Sequence, residues 1–280
     1  MQSKIFVAQH LHSHDMSTEA FQFTQVGKAY NSQFLVNTDC RFTDNISGKN
    51  PTWSELTLQY HMWKHETGNY KNIGLAHYRR HFNPYGIEKL TADEDYPISY
   101  EYGKTSRPQI EFSEPIFNKI LSNETTDLLD LLVKDNETLV TLQPFMKTNK
   151  WSLWTMAEND WIPVRTIVEF FEWCKRTMDP HVFYEFDHLI NQSNEHFCNN
   201  MIYCSSELFA RYSKWLFDLL FGFEMHLKSL EKQLGKQLIV PRMFGYFSEY
   251  MLRPWCIINF IDVEHVESLC FTNLKTDTRI

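Results

Sequence analysis

The sequence contains no uninterrupted apolar run near the roughly 18 to 20 residues that a membrane-spanning helix needs, so no such helix is expected. A basic excess is missing too: 27 Lys and Arg stand against 35 Asp and Glu, a formal charge of -8. General nucleic-acid binding asks for a basic footprint, so that class is set aside. Six cysteines, at positions 40, 174, 198, 204, 256 and 270, form no CxxC pair and no dense framework. Free thiols in a cytoplasmic protein are the simplest reading. The opening MQSKIFVAQHLHSHD has only a short apolar stretch before its histidines and does not read as a secretory signal. Gly48-Lys49 lacks the upstream glycine and the following Ser or Thr of a P-loop. Neither an internal repeat nor a low-complexity segment is present.

What is there is an ordinary globular composition, with 43% hydrophobic and 22% charged residues over 280 positions. That length can bury a large core as one α/β domain. Aromatics reach 15%, including 22 Phe and 8 Trp, enough for a heavily packed interior and for platforms that stack bases or sugar rings.

KIFVAQ (4–9) reads as a first buried strand and the segment around Phe34-Leu35-Val36 as a second. Thr52 and Glu55 have capping-box spacing, which predicts a helix start near Trp53 with Glu55 as its cap. Trp53, Leu56, Tyr60 and Trp63 then form one apolar stripe. Gly68-Asn69 ends that helix, and a strand over 72–77 follows. Residues 83–115 read as a long functional loop. Helices are expected over 116–135, 163–178, 182–191, from Glu207 onward, near 223–234 and over 246–252. Strands are expected over 139–144, over 198–205 and at the terminal WCIINFI. Strand, polar loop, helix and strand in that order are α/β grammar.

The most informative stretch is NIGLAHYRRHF, where an apolar strand delivers His77, Tyr78, Arg79, Arg80 and His81 at its carboxyl end. Ligands of open α/β sheets bind at such ends, and paired guanidinium groups suit phosphate oxygens. Upstream lies Asp44-Asn45-Ile46-Ser47-Gly48-Lys49-Asn50, either a structured turn before a helix or a set of groups for a sugar or ribose. Arg242 to Glu249 (RMFGYFSE) offers a carboxylate base in Glu249 and an anion grip in Arg242, against the plainer reading of a polar helix start. Glu195-His196 with Asn199-Asn200 can orient a polyol acceptor. His10-x-His12-x-His14-Asp15 is a candidate metal pair, similar to the opening of PHP-type phosphoesterases, but zinc would need further ligands and second-shell acceptors. No metal ligand is assigned.

Taken together, D-N-I-S-x-K-N, S-E-L-T-x-x-Y-x-x-W-K and I-G-L-x-H-Y-R-R-x-F resemble one bacterial family. It is long catalogued as a domain of unknown function and found in capsule, exopolysaccharide and lipopolysaccharide loci. The resemblance continues through N-M-I at Asn200, the F-x-x-Y-x-x-W-L-F helix from Phe209 and R-x-F-G-Y-x-S-E from Arg242, covering nearly the whole chain. Where the family shows His-Lys after the first strand, this chain has His10-Leu11. The resemblance implies a GT-A-like single α/β domain over 1–280, with a central mixed sheet flanked by helices and a helix-rich C-terminal half. Residues 1–145 would bind the nucleotide-sugar and 146–280 would carry the acceptor and catalysis.

It implies a glycosyltransferase that moves a hexosyl group from a UDP-sugar, UDP-galactofuranose being the first to test, onto an oligosaccharide or lipid-linked glycan. The setting would be the cytoplasm, at the inner face of the membrane. Donor contacts would come from His10, Asp44, Asn45, Ser47, Asn50, His77, Tyr78, Arg79 and Arg80, and acceptor contacts from His196, Asn200 and Arg242. Glu249 is the first choice for base and Asp44 the second. GT-A enzymes commonly hold Mn or Mg on an Asp-x-Asp at the comparable strand end. Here arginines occupy that end, so no cofactor is firmly expected, although Asp93, Glu94 and Asp95 can restore a metal site. Two other readings remain open: a metal-dependent phosphoesterase on His10, His12 and His14, and a non-catalytic carbohydrate-binding protein.

Overall fold

A computed structural model describes residues 1–9, 16–27, 37–92, 96–100, 107–146, 153–192 and 195–273. The first half runs β1 (Lys4–Gln9), β2 (Phe21–Gln25), α1 (Asn50–Trp53), α2 (Leu56–His61), β3 (Asn72–His77), β4 (Arg80–Asn83), α3 (Ile87–Leu90), β5 (Ser99–Tyr100), β6 (Pro108–Glu111), α4 (Glu114–Ile120), α5 (Asn123–Leu132), β7 (Thr138–Leu142) and β8 (Phe145–Met146). The second half is α6 (Leu153–Glu158), α7 (Val164–Thr177), α8 (Pro180–Gln192), β9 (Glu195–His196), β10 (Ile202–Ser205), α9 (Ser206–Leu234), α10 (Met243–Ile258) and β11 (Asp262–Thr272).

One mixed sheet has the order β2-β1-β3-β10-β7-β11-β6-β5, with β4 pairing β3 and β11. β1 is parallel to β2 and β3, while β10 runs antiparallel between β3 and β7. β7, β11 and β6 are parallel to one another. The carboxyl end of β3 and the amino end of β10 therefore meet on one edge of the sheet.

Alternation along the strands builds a core on each face, because successive side chains of a strand point to opposite sides. Phe6 and Ala8 of β1 join one cluster, whereas Ile5 and Val7 join the other. Ile202 and Cys204 of β10 side with Phe6, and Tyr203 points the opposite way. The first and larger cluster is roofed by α2 and the helices α6 to α10, the second by α4 and α5. The aromatic abundance is spent chiefly on the first. Trp53, fully buried, stacks on Phe244 at 4.5 Å and contacts Phe221 at 4.8 Å and Phe217 at 6.0 Å.

Several sequence expectations change. The helix near Trp53 is broken: α1 ends at Ser54, whose backbone sits at φ 50° and ψ -133°, and α2 restarts at Leu56 before a π-helical turn over Met62–Glu66. Glu55 is not a capping-box partner, since Thr52 Oγ1 donates to the Lys49 carbonyl at 3.2 Å. The strand beside β1 is Phe21–Gln25, and residues 34–36 lie outside the described set. The expected loop over 83–115 contains α3, β5 and β6. Expected helices at 207 and 223 are one helix of 29 residues. It runs through Gly222, where an added Cβ would sit 2.6 Å from the Trp173 ring, so the small residue serves a close packing contact and not a break. WCIINFI is not a strand: α10 continues through Pro254 to Ile258, and β11 starts only at Asp262. Buried Trp255, packed 5.0 Å from Tyr212, holds that turn helical against its local propensity. No helix among the described residues is long and apolar enough to cross a membrane.

Candidate active site

β3 ends in a tight hairpin. His77 pairs with Arg80, so Tyr78 and Arg79 form its two-residue turn. This geometry separates the arginine pair. Arg79 is exposed at the tip, with its guanidinium 5.7 Å from the Tyr78 ring, while its carbonyl accepts from Phe271 N at 2.8 Å. Arg80 re-enters the sheet and is half-buried. Its register partner Cys270 in β11 is also the partner of Gln109 in β6, which brings Arg107, just before β6, to the same edge. Arg107 is buried.

The opposite wall is α10. Arg242 caps it from a left-handed backbone at φ 61°, and Gly245, Ser248 and Glu249 follow on one helical face. An added Cβ at Gly245 would lie 3.2 Å from Ser54 Cβ, so the glycine lets α10 press on the break between α1 and α2. That break aims Glu55 inward. Its carboxylate accepts from Asn200 Nδ2 at 2.6 Å, and the same amide donates to the Gly245 carbonyl at 3.2 Å. Ser248 Oγ lies 2.9 Å from Asn200 Oδ1 and 2.7 Å from the Gly245 carbonyl oxygen, and donates its single proton to one of them at a time. Both Asn200 amide hydrogens thus have acceptors, and its amide orientation is set by its partners. Asn199 and Asn200 both have positive φ, 78° and 51°, a conformation that asparagine tolerates better than most residues. The Asn199 carbonyl is turned onto His77 Nε2.

Electrostatics follow from this crowding. Burial pushes the Glu249 carboxyl up to about 7, and neighbouring Glu55 adds to the push against the pull of Arg80, Arg107 and Arg242. Burial also lowers His77, helped by Arg80 and Arg242 and opposed by Glu55 and the Asn199 carbonyl. A carbonyl only accepts, so neutral His77 carries its proton on Nε2 and presents Nδ1 as an acceptor. His81 faces away into the second core, packed among Phe23, Phe117 and Phe271, where burial holds it down at about 4. One carboxylate that titrates near neutrality beside three guanidinium groups can accept a proton from a hydroxyl and hold an anion together.

Of the residues singled out from sequence, His77, Arg80, Asn200, Arg242 and Glu249 converge here. The Asp44–Asn50 loop makes a scaffold of its own. Asp44, exposed, accepts from Tyr60 OH at 2.8 Å, and its carbonyl meets His65 Nε2 at 2.7 Å. Asn45 closes a turn by donating to the Phe42 carbonyl at 2.7 Å, and its Oδ1 accepts from Ser47 N at 3.1 Å. Ser47 donates to buried Asp39 at 2.6 Å, and Asp39 also accepts from Gly27 N at 3.0 Å. Asn50 donates to the Ser54 carbonyl at 2.8 Å, which ties this loop to the helix break. His10, His12, His14, Asp15, Asp93, Glu94 and Asp95 lie outside the described residues, and His196 is described only as a β9 residue paired with Phe145.

Sequence reasoning missed two members. Glu55 was masked by its capping spacing, and Arg107 carried no local signal, being brought in by strand register alone. The pair of asparagines before β10 is the one mark in the sequence of the left-handed corner.

No curated protein matches the chain. Among solved structures, the apo structure of the bifunctional glycosyltransferase WbbM superposes with a TM-score of 0.78 at 19% identity. The match covers 100% of this chain and 47% of that one, so the chain spans about half the length of its structural relative. At that identity the likeness establishes the fold. The model of a domain of unknown function, DUF4422, matches residues 4–259, and on that extent the chain belongs to the DUF4422 family.

Proposed function

We propose that the chain is a glycosyltransferase of the GT-A type that transfers a hexosyl group from a UDP-sugar to a glycan hydroxyl. The observation that carries this reading is the convergence of Glu249 with Arg80, Arg107 and Arg242 where β3 ends, because transfer from a sugar diphosphate needs a base and an anion cradle side by side. Support for the fold comes from WbbM. In a GT-A reading, the end of β3 is where an Asp-x-Asp would stand, and Arg80 and Arg107 take over neutralisation of the leaving diphosphate. Glu249, deprotonated, removes the proton from the acceptor hydroxyl as that oxygen attacks the anomeric carbon in an inverting displacement. The carbon–oxygen bond to the diphosphate breaks, and its charge develops against the guanidinium groups.

Residues 1–145 are assigned to donor binding and 146–280 to the acceptor, with Asp44, Asn45, Ser47 and Asn50 shaping the donor side. His10, Tyr78 and Arg79 keep their assignment as donor contacts, and His196 keeps its assignment as an acceptor contact. UDP-galactofuranose is the first donor to test, and capsule, exopolysaccharide or lipopolysaccharide assembly at the cytoplasmic face of the membrane is the proposed setting.

The test is thermal stabilisation by UDP-, GDP-, CMP- and dTDP-sugars, with release of the nucleotide followed in parallel. A UDP-sugar is expected to stabilise the wild type, and Arg80→Ala to lose most of the response while Arg79→Ala loses less. If no nucleotide-sugar stabilises the protein, or if Arg80→Ala responds as the wild type does, the diphosphate assignment falls.

A further inference from the structure

An aromatic pair adjoins α10 at Tyr246. Arg242 and Tyr246 lie one turn apart, and the Arg242 guanidinium sits 5.5 Å from the Tyr246 ring centroid. Trp161 stacks on the same tyrosine, with its ring centroid 5.6 Å from that of Tyr246 and 21° between the ring planes. Tyr246 precedes Glu249 by three residues, so both stand on neighbouring positions of one helical face. Tyr246 therefore contacts both Trp161 and Arg242, and the Arg242 charge acts on Glu249.

Trp161 is 46% exposed, although the chain has an aromatic core that could have enclosed it. A dedicated turn presents it. Asp160 adopts φ 58°, and the amides of both Trp161 and Ile162 donate to the Met156 carbonyl at the end of α6, at 2.8 and 3.3 Å. A non-glycine residue in the left-handed region costs free energy, and here it holds a large flat ring at the surface against Tyr246, one turn before Glu249 on α10. Ile162, the next residue, is fully buried and anchors the turn.

We propose that Trp161, backed by Tyr246, is a stacking platform for a sugar ring of the acceptor glycan. The apolar C–H face of a saccharide lies flat on an indole, while its hydroxyls stay in water or reach Arg242. This deepens the reading of the site as a glycosyltransferase and rests on it for the word acceptor. The binding itself is testable without turnover.

The experiment is saturation-transfer NMR with methyl glycosides and β-linked disaccharides of galactose, glucose, mannose and rhamnose, on the wild type, Trp161→Ala, Trp161→Phe and Phe260→Ala. Phe260 is 90% exposed but belongs to the turn before β11, at the opposite edge of the sheet from His77, and serves as the control. At least one glycoside is expected to show ring C–H signals with the wild type. These should fall about tenfold in Trp161→Ala, the size of one lost ring stack, and persist in Trp161→Phe and Phe260→Ala. Equal signals in wild type and Trp161→Ala, or no glycoside signal with the wild type, would overturn the platform. UDP stabilisation of the same samples separates the two readings. A normal UDP response with Trp161-independent glycoside signals sinks only the platform, whereas Trp161-dependent signals without any nucleotide response sink the transferase and leave a carbohydrate site.

Discussion

Replacing Glu249 by Gln should stabilise the protein at alkaline pH and leave it unchanged at acid pH. In the folded chain the half-buried carboxyl titrates at about 7, against an ordinary 4.5, chiefly through loss of hydration, with Glu55 adding and three arginines subtracting. Between those two values the folded chain keeps a proton that the unfolded chain has released. Stability must then fall as pH rises through that window and stay lowered above it. The interval from 4.5 to about 7 corresponds to roughly 3 kcal/mol at about 1.36 kcal/mol per pH unit. In a chain of this length, that is about 5 °C in Tm. Glu249→Gln keeps the shape and removes the ionisation, so the variant should gain about 2–3 kcal/mol over the wild type at pH 8 and almost nothing at pH 4.5. Denaturant unfolding of both proteins at the two pH values measures this directly. A stability difference that does not change with pH would refute the electrostatic account of the cluster. The same variant should lose transferase rate, because a residue held ready to lose a proton at neutrality is costly to the fold and useful to the chemistry.

Two further outcomes follow from the packing around it. Glu55→Gln retains an acceptor for Asn200 Nδ2 but removes the charge that raises Glu249, so the acid limb of the pH–rate profile should move below pH 7; an unmoved limb would remove Glu55 from the base's environment. Trp53→Ala empties a fully buried site ringed by Phe217, Phe221 and Phe244, and calorimetry should show a loss of about 3–5 kcal/mol; a loss under 1 kcal/mol would contradict the packing.

The sequence by itself determined the α/β class, the strand that ends at His77 and the helix from Glu207, because apolar periodicity is a local property read along the chain, and it marked Arg242 and Glu249 as candidates. It also singled out Asn200, which proved to be the hinge between Glu55, Gly245 and Ser248. Only the tertiary structure decided which polar residues share a space. It sent Arg79 to a hairpin tip and Arg80 into the cluster, a parting that depends on one pairing, His77 with Arg80. It recruited Arg107 through its strand's register against β11, and by breaking a helix at Ser54 it turned the Glu55 carboxylate onto Asn200, where its charge acts on Glu249. It also kept WCIINFI helical, since the burial of Trp255 and Cys256 outweighs the local preference of an apolar, β-branched run. Local pattern sets what each segment can become, and long-range contact between segments remote in sequence sets which charges meet and hence what they can do.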